Sequence, residues 1–188
     1  RPGVVYAGLV LNEKGYERAR AAAVDEVHYA FSATDAFGLR NQNATTAQGI
    51  DTAHAVVRRA RADGMPVTVT VSVAFGCPFE GGVPASRVLE IVERLMEAPP
   101  EEVCLADTIG VGVPSQVREL VGGARRLGAK VGAHFHNTRG QGLANALAAL
   151  EVGVTSFESS FGELGGCPVP AGATGNIASE DLVSMLHE

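Results

Sequence analysis

The chain has 188 residues, of which 46% are hydrophobic, and its formal net charge is -6. This length allows one hydrophobic core but not two ordinary domains, so we expect a single domain over residues 1–188. The acidic balance argues against a nucleic-acid binder, because there is no surplus of Lys and Arg to displace counterions from phosphates. No apolar run approaches the roughly 20 residues that a membrane-spanning helix needs.

The three cysteines, Cys77, Cys104 and Cys167, are odd in number and widely spaced. This pattern disfavours a disulfide scaffold and favours a reducing compartment, so we expect a cytoplasmic protein. The chain opens inside an apparent strand and has no initiating Met, so we expect that an upstream piece is missing. A mitochondrial targeting peptide on that piece stays an open alternative.

Short apolar, β-branched segments recur along the chain and predict six strands. Several of them are apolar at consecutive positions, as expected for strands that are buried on both faces. In chain order, the predicted strands are residues 4–10, 26–31, 66–74, 102–106, 130–135 and 154–159.

Segments with apolar residues at helical spacing lie between the predicted strands. The stripes at 88–96 and 117–127 each follow a proline, which is a common residue in the first turn of a helix. Leu143, Leu147 and Leu150 form a third stripe. Strand and helix therefore alternate through the whole chain.

This alternation predicts an α/β protein with parallel βαβ units and helices on the outside. The chain holds about six such units, whereas a closed (β/α)8 barrel has eight strands. An open doubly wound sheet is the competing architecture. Two strands missing from the front would reconcile the count with a barrel, so we predict a (β/α)8 TIM barrel that is incomplete in this chain.

Polar residues follow three of the predicted strands at their carboxyl ends. They lie at 107–110, 134–138 and 162–176. Barrel enzymes place their chemistry at these strand ends and in the loops that follow them. The agreement favours an enzyme.

His134 and His136 are two residues apart on a predicted strand, so both side chains leave the same face. Two imidazoles that converge on the mouth of a barrel favour a divalent metal site. The alternatives are two histidines hydrogen-bonded in a polar core, or one ligand and one bystander. We interpret His28, His54 and His187 as ordinary core or surface residues.

Asp107 ends its predicted strand, where a carboxylate can orient a ligand, accept a substrate hydroxyl or cap the next loop. The sequence leaves catalysis and loop capping open. Gly110 and Gly112 resemble the start of a dinucleotide fingerprint. However, Ser115 stands where the third glycine should be, so we reject a nicotinamide site.

The segment 162–168 is rich in glycine and contains Cys167. Glycines allow a loop to move as a lid, and its cysteine could transfer a proton or act as a nucleophile. The alternative is a flexible connection with an incidental cysteine. Cys77 lies in a similar Gly-Cys-Pro tripeptide, so spacing alone does not tell which cysteine is chemical. Cys104, inside a strand, reads as a small buried hydrophobic residue.

Six short segments carry a more specific pattern. They are FGCPFEG at 75–81, DTIG at 107–110, HFHNT at 134–138, GQGLAN at 140–145, GELGGCP at 162–168 and GN at 175–176. Together they resemble the 3-hydroxy-3-methylglutaryl-CoA lyase family, one of the metal-dependent lyases and synthases on the (β/α)8 barrel. The most specific part is the glycine-cysteine loop followed by GN. The isopropylmalate, citramalate and homocitrate synthases share the His-x-His segment but lack that loop.

The resemblance implies cleavage of a 3-hydroxy-3-methylglutaryl-CoA type thioester to acetyl-CoA and acetoacetate, a retro-Claisen reaction assisted by Mg²⁺ or Mn²⁺. It implies that His134, His136 and Asn176 are metal ligands. An acyl-CoA thioester is then the substrate, and we also expect a homodimer. A condensing synthase of the isopropylmalate or citramalate type, or a non-catalytic barrel fragment, are the alternatives.

The resemblance also implies three catalytic residues: Cys167 as a lid cysteine in proton transfer, Asp107 as an active-site carboxylate and Glu180 as an acid close to the metal. The family's first strand carries an Arg and an Asp ligand that are absent here, because the chain begins near the third strand. Asn137 stands where many members have Asp, and Arg139 replaces an aromatic residue. These departures put the activity of this polypeptide on its own in doubt.

Overall fold

The structure is a computed structural model that describes residues 3–166 and 175–187. Within these residues, six parallel strands form one sheet in the order of the chain. The strands are β1 (Ala7–Val10), β2 (Glu26–Ser32), β3 (Val67–Ser72), β4 (Glu102–Asp107), β5 (Val131–Phe135) and β6 (Phe157–Glu158). The predicted strands are thus confirmed, although β1, β3 and β6 are at least three residues shorter than predicted.

Helices connect the strands. They are α1 (Glu13–Ala21), α2 (Asp35–Gln42), α3 (Thr46–Asp63), α4 (Ala85–Leu95), α5 (Pro114–Arg126), α6 (Gly142–Glu151) and α7 (Ser179–His187), with a 3₁₀ turn at Phe161–Glu163 before α7. The stripes predicted at 88–96 and 117–127 lie on α4 and α5 and their C-caps, and most of their apolar residues are buried. Leu127, at the end of the second stripe, is the exception at 37% exposed. Among the described residues, no helix combines the length and hydrophobicity needed to cross a bilayer.

The strand order decides between the two architectures. A doubly wound sheet reverses its strand order at a switch point, whereas β1 to β6 follow one another without reversal. In a flat sheet, β2 and β6 would lie about 19 Å apart, because neighbouring strands are separated by about 4.8 Å. Instead, His28 on β2 and Glu158 on β6 are hydrogen-bonded. The sheet is therefore curled into a half-barrel, which confirms an incomplete TIM barrel.

Alternate residues of each strand face opposite sides of the curled sheet. Val69, Val71 and Leu105 are fully buried in the core. The intervening residues, such as Thr70 and Ala106, line a cavity of about 510 Å³ on the concave side. This concave side is the lumen of the barrel, and it is more polar than the core.

Helix α6 differs from the prediction in the face that it buries. Leu147 and Leu150 are 47% and 38% exposed, whereas Asn145, Ala146 and Ala149 are fully buried. Alanine side chains allow a helix to approach a neighbouring element closely, so α6 packs its small residues against the core. The helix is confirmed, but the leucine stripe is not its buried face.

Candidate metal centre

His134 and His136 lie at the carboxyl end of β5, as predicted. Their ring centroids are 5.1 Å apart. His136 is 6% exposed, and the His134 side chain is 20% exposed and lines the lumen. The period of two along the strand therefore brings the two imidazoles together at the mouth of the half-barrel.

Asn176 lies beside this histidine pair. The backbones of His136 and Asn176 form an antiparallel bridge. Hydrogen bonds of 3.1 Å on either side, from the Asn137 N–H to the Gly175 carbonyl and from the Ile177 N–H to the Phe135 carbonyl, fix its position. The amide nitrogen of Asn176 donates to the Leu164 carbonyl at 3.1 Å. The amide oxygen, which is the atom that a hard cation prefers, is on the other side of that amide group.

Glu158 is the residue that the sequence analysis missed at this site. Its two oxygens contact two imidazoles: Oε1 lies 3.0 Å from Nδ1 of His28, and Oε2 lies 2.9 Å from Nδ1 of His134. His28 in turn places Nε2 at 2.9 Å from Oε1 of Glu26. Our interpretation of His28 as an ordinary residue was therefore incomplete, because it lies in the lumen between two carboxylates.

The electrostatics of Glu158 follow from these contacts. Burial favours the neutral acid, but hydrogen bonds from His134 and His28 outweigh burial and lower the pKa of Glu158 to about 2. The hydrogen bond to Glu158 raises the pKa of His28 above its ordinary value, and burial opposes this. Glu158 is therefore a carboxylate that accepts hydrogen bonds from both rings.

The donor set fits a divalent cation. A carboxylate can only accept hydrogen bonds, so Nδ1 of His134 carries a hydrogen, and in the neutral form of the ring Nε2 then has the lone pair that a metal needs. Histidines that bind metals almost always donate their other ring N–H in this way. Within residues 3–166 and 175–187, no cluster of three or more His, Cys, Asp or Glu side chains is arranged to hold a metal. The predicted ligands His134, His136 and Asn176 do not form such a cluster, because Asn176 would bind the metal through an amide oxygen.

Asp107 is fully buried at the end of β4. Its Oδ1 accepts from the Val111 N–H at 3.0 Å, and its Oδ2 accepts from the Gly112 N–H at 2.9 Å. Burial raises the pKa of Asp107, and the two hydrogen bonds oppose this shift. These contacts correspond to the loop-capping alternative, and a direct catalytic part for Asp107 stays a prediction.

Glu180 lies in the first turn of α7 and is exposed. Both of its carboxylate oxygens lie 3.1 Å from the Gly162 N–H. Its own backbone N–H and that of Gly162 lower the pKa of Glu180. Nearby, Asn137 donates to Glu163 at 2.6 Å. The turn at 161–163 is therefore held from α7 and from the segment that follows His136.

The cysteines can now be distinguished in part. Cys77 is 3% exposed, and its sulfur accepts hydrogen bonds from the Thr34 hydroxyl at 3.2 Å and the Phe79 N–H at 3.4 Å. Cys104 is buried in β4, and burial raises the pKa of its thiol well above the ordinary value. Cys167 lies outside the described residues. Cys77 and Cys104 thus belong to the packed interior.

Comparison with known proteins gives consistent results. Residues 3–188 match the HMGL-like protein family. The chain is 39% identical to the mitochondrial hydroxymethylglutaryl-CoA lyase of Gallus gallus, covering 99% of this chain and 63% of that protein. It is 41% identical to the (R)-citramalyl-CoA lyase of Chloroflexus aurantiacus, covering 97% of this chain and 58% of that protein. The chain thus spans about three fifths of the length of these curated relatives.

A solved structure is similar over the whole chain. It is an HMG-CoA lyase from Acinetobacter baumannii in complex with coenzyme A and 3-methylmalate. The two chains superpose with a TM-score of 0.93 at 39% sequence identity, covering 100% of this chain and 62% of that one.

Proposed function

The chain belongs to the HMGL-like family, and from this membership we propose that it is part of the catalytic domain of a carbon–carbon lyase. The proposed substrate is a 3-hydroxy-3-methylglutaryl-CoA type thioester, which is cleaved to acetyl-CoA and acetoacetate. The observation that carries this proposal is the pair of imidazoles, 5.1 Å apart, next to Asn176 at the carboxyl ends of the parallel strands.

The relatives support an acyl-CoA substrate. The proteins from Gallus gallus and Chloroflexus aurantiacus are both named as CoA-thioester lyases, and the structure from Acinetobacter baumannii contains coenzyme A. These names favour cleavage over condensation by a synthase, and they favour an enzyme over a non-catalytic fragment. Cytoplasmic residence and assembly as a homodimer stay predictions from the sequence.

We propose that His134, His136 and Asn176 hold Mg²⁺ or Mn²⁺. Members of this family generally depend on a divalent metal, and imidazole and amide oxygen ligands suit a hard cation. The hydrogen bond between Glu158 and Nδ1 of His134 supports the proposal. When bound, such a cation supplies Lewis-acid chemistry that lowers the pKa of the substrate's tertiary hydroxyl.

The remaining chemistry is proton transfer. We propose that Cys167 protonates the acetyl-CoA enolate that leaves as the carbon–carbon bond breaks. Asp107 is proposed as an active-site carboxylate that also holds the loop to Gly112 in place. Glu180 is proposed as an acid near the metal, and its hydrogen bond to Gly162 links α7 to the first residue of the glycine-rich segment.

The decisive experiment measures acetyl-CoA release by the full-length protein. The assay supplies 3-hydroxy-3-methylglutaryl-CoA with Mg²⁺ or Mn²⁺, and repeats the measurement after chelation and after metal is restored. We expect release that stops on chelation and returns with metal. A metal-loaded, folded protein that releases no acetyl-CoA from any 3-hydroxyacyl thioester tested would contradict the proposal.

A second candidate substrate is (R)-citramalyl-CoA. The identity of 41% to the lyase from Chloroflexus aurantiacus favours its inclusion, because that relative is as similar as the hydroxymethylglutaryl-CoA lyase. Both thioesters should therefore be compared in the same assay by their kcat/KM values. The larger value identifies the preferred substrate.

A further inference from the structure

The lumen of the half-barrel contains a chain of four hydrogen-bonded groups that runs from Glu26 through His28 and Glu158 to His134. We propose that Glu158 is a positioning residue that sets the tautomer and direction of the His134 ring, and that His28 fixes the Glu158 carboxylate from across the lumen. This inference rests on the metal site of the proposed function, but it does not depend on the reaction.

The first step concerns the ring of His134. A neutral imidazole has one N–H and one lone pair, and either nitrogen can carry the hydrogen. The contact of 2.9 Å between Nδ1 and Oε2 of Glu158 requires the hydrogen on Nδ1, because a carboxylate has none to donate. The contact also limits rotation of the ring. Glu158 thus prepares Nε2 of His134 as a ligand before any metal arrives.

The second step concerns Glu158 itself. It lies on β6, which has only two residues and pairs with β5 at only two positions. A glutamate has several rotatable bonds, so one hydrogen bond from such a short strand would hold its carboxylate loosely. The second contact, of 3.0 Å from Nδ1 of His28, clamps the carboxylate between two imidazoles.

The third step concerns His28. Its other nitrogen lies 2.9 Å from Oε1 of Glu26, on the same strand and the same face. The long strand β2 pairs with β3 over six positions, so it is a firm support. A carboxylate on either side favours a hydrogen on both nitrogens, which makes His28 a donor toward Glu158. The position of His134 is therefore supported from a strand on the far side of the lumen.

A purely structural explanation is that these groups only tie β2 to β6. Two readouts separate it from positioning. The ¹⁵N chemical shifts of the His134 ring report which nitrogen carries the hydrogen, and electron paramagnetic resonance of unbound Mn²⁺ reports the metal affinity. If these contacts only stabilised the fold, removing them would change neither the His134 tautomer nor the Mn²⁺ affinity of a protein that remains folded.

The test uses the full-length protein with three substitutions. Glu158→Gln keeps the shape but removes the charge, and His28→Gln removes the second imidazole. The matched control is Glu102→Gln, because Glu102 is also a buried strand glutamate, 7% exposed, and lies at the amino end of β4 away from the histidine pair. Thermal unfolding is measured for each protein.

We expect the metal-free wild-type protein to show the Nδ1–H tautomer at His134. Glu158→Gln should weaken Mn²⁺ binding about 10- to 100-fold, the usual effect of losing such a partner, and should shift the tautomer equilibrium. His28→Gln should give a smaller loss, about 10-fold or less. Glu102→Gln should change stability only.

Two results would overturn the inference. One is an Nε2–H tautomer at His134 in the wild-type protein, and the other is unchanged Mn²⁺ affinity in folded Glu158→Gln. These results are distinct from failure of the lyase proposal. A protein that binds Mn²⁺ through the Nδ1–H tautomer of His134 but cleaves no thioester would contradict only the lyase proposal. A protein that cleaves the thioester, and whose Glu158→Gln variant binds Mn²⁺ as tightly as wild type, would contradict only the positioning role of Glu158.

Discussion

Replacing Asp107 by Ala should remove the acceptor that holds the loop after β4. In the structure, both oxygens of this fully buried side chain accept backbone hydrogen bonds, from Val111 at 3.0 Å and from Gly112 at 2.9 Å. Alanine would leave both N–H groups without a partner. A buried unsatisfied group costs about 1–3 kcal/mol, and the Gly112 N–H is buried whereas the Val111 N–H is only partly buried. Asp107→Ala should therefore lower the free energy of unfolding by at least about 1–3 kcal/mol.

Asp107→Asn is the matched comparison. Asparagine keeps one acceptor oxygen and carries no charge, so only one of the two hydrogen bonds is lost. The burial that raises the pKa of Asp107 also means that the neutral amide avoids a desolvation cost. We therefore expect Asp107→Asn to destabilise by about 1–3 kcal/mol, less than Asp107→Ala.

Urea denaturation of the full-length protein, followed by circular dichroism, measures both variants against wild type. A loss below about 1 kcal/mol in Asp107→Ala would refute the capping argument, because it would fall short of even one unsatisfied group. Acetyl-CoA release by folded Asp107→Asn then addresses catalysis. A decrease in kcat of about 10²-fold or more, under conditions in which the unfolding curve shows the variant to be folded, would assign the carboxylate a direct part.

Three further predictions concern other groups. Cys167→Ala should lower the rate of acetyl-CoA release about 10²- to 10⁴-fold with little change in Mn²⁺ affinity. The control, Cys77→Ala, should mainly lower stability. An unchanged rate in Cys167→Ala would remove this residue from the mechanism. His136→Ala should severely weaken Mn²⁺ binding in a calorimetric titration, and unchanged affinity would assign this ring to the core. Burial and the hydrogen bond to Asp63 raise the pKa of Tyr16 from 10.0 to about 12, so the unfolded state ionises first and stability should fall between these pH values. Tyr16→Phe should flatten that alkaline fall in a pH series of unfolding curves, and an identical fall in both proteins would contradict the assignment.

The fold could be predicted largely because its signals are local. Val69, Val71 and Leu105 belong to strands that are buried on both faces, and this burial requires the continuous apolar runs that the sequence shows. Helix α6 marks the limit of such reasoning. Helical periodicity identifies the helix, but the choice between its leucine face and its alanine face depends on how closely its neighbours approach.

The site could be predicted in part. The positions of His134 and His136 follow from the period of two along β5. Asn176 lies 40 residues further along the chain, and only the resemblance to a family pointed to it before the backbone bridge to His136 was seen. Glu158 carried a weak signal, since it is an acid near the end of a predicted strand, where barrels place their functional groups.

By itself, the sequence determined which segments form strands and helices and which strand ends carry imidazole, carboxylate and amide groups, because these properties depend on residues that are close in the chain. Only the tertiary structure decided that His28 and Glu158 meet, at a separation of 130 residues. Their contact requires the sheet to curl until β2 and β6 face each other across the lumen. That curvature arises from the twist summed over all six strands, so no single segment contains it.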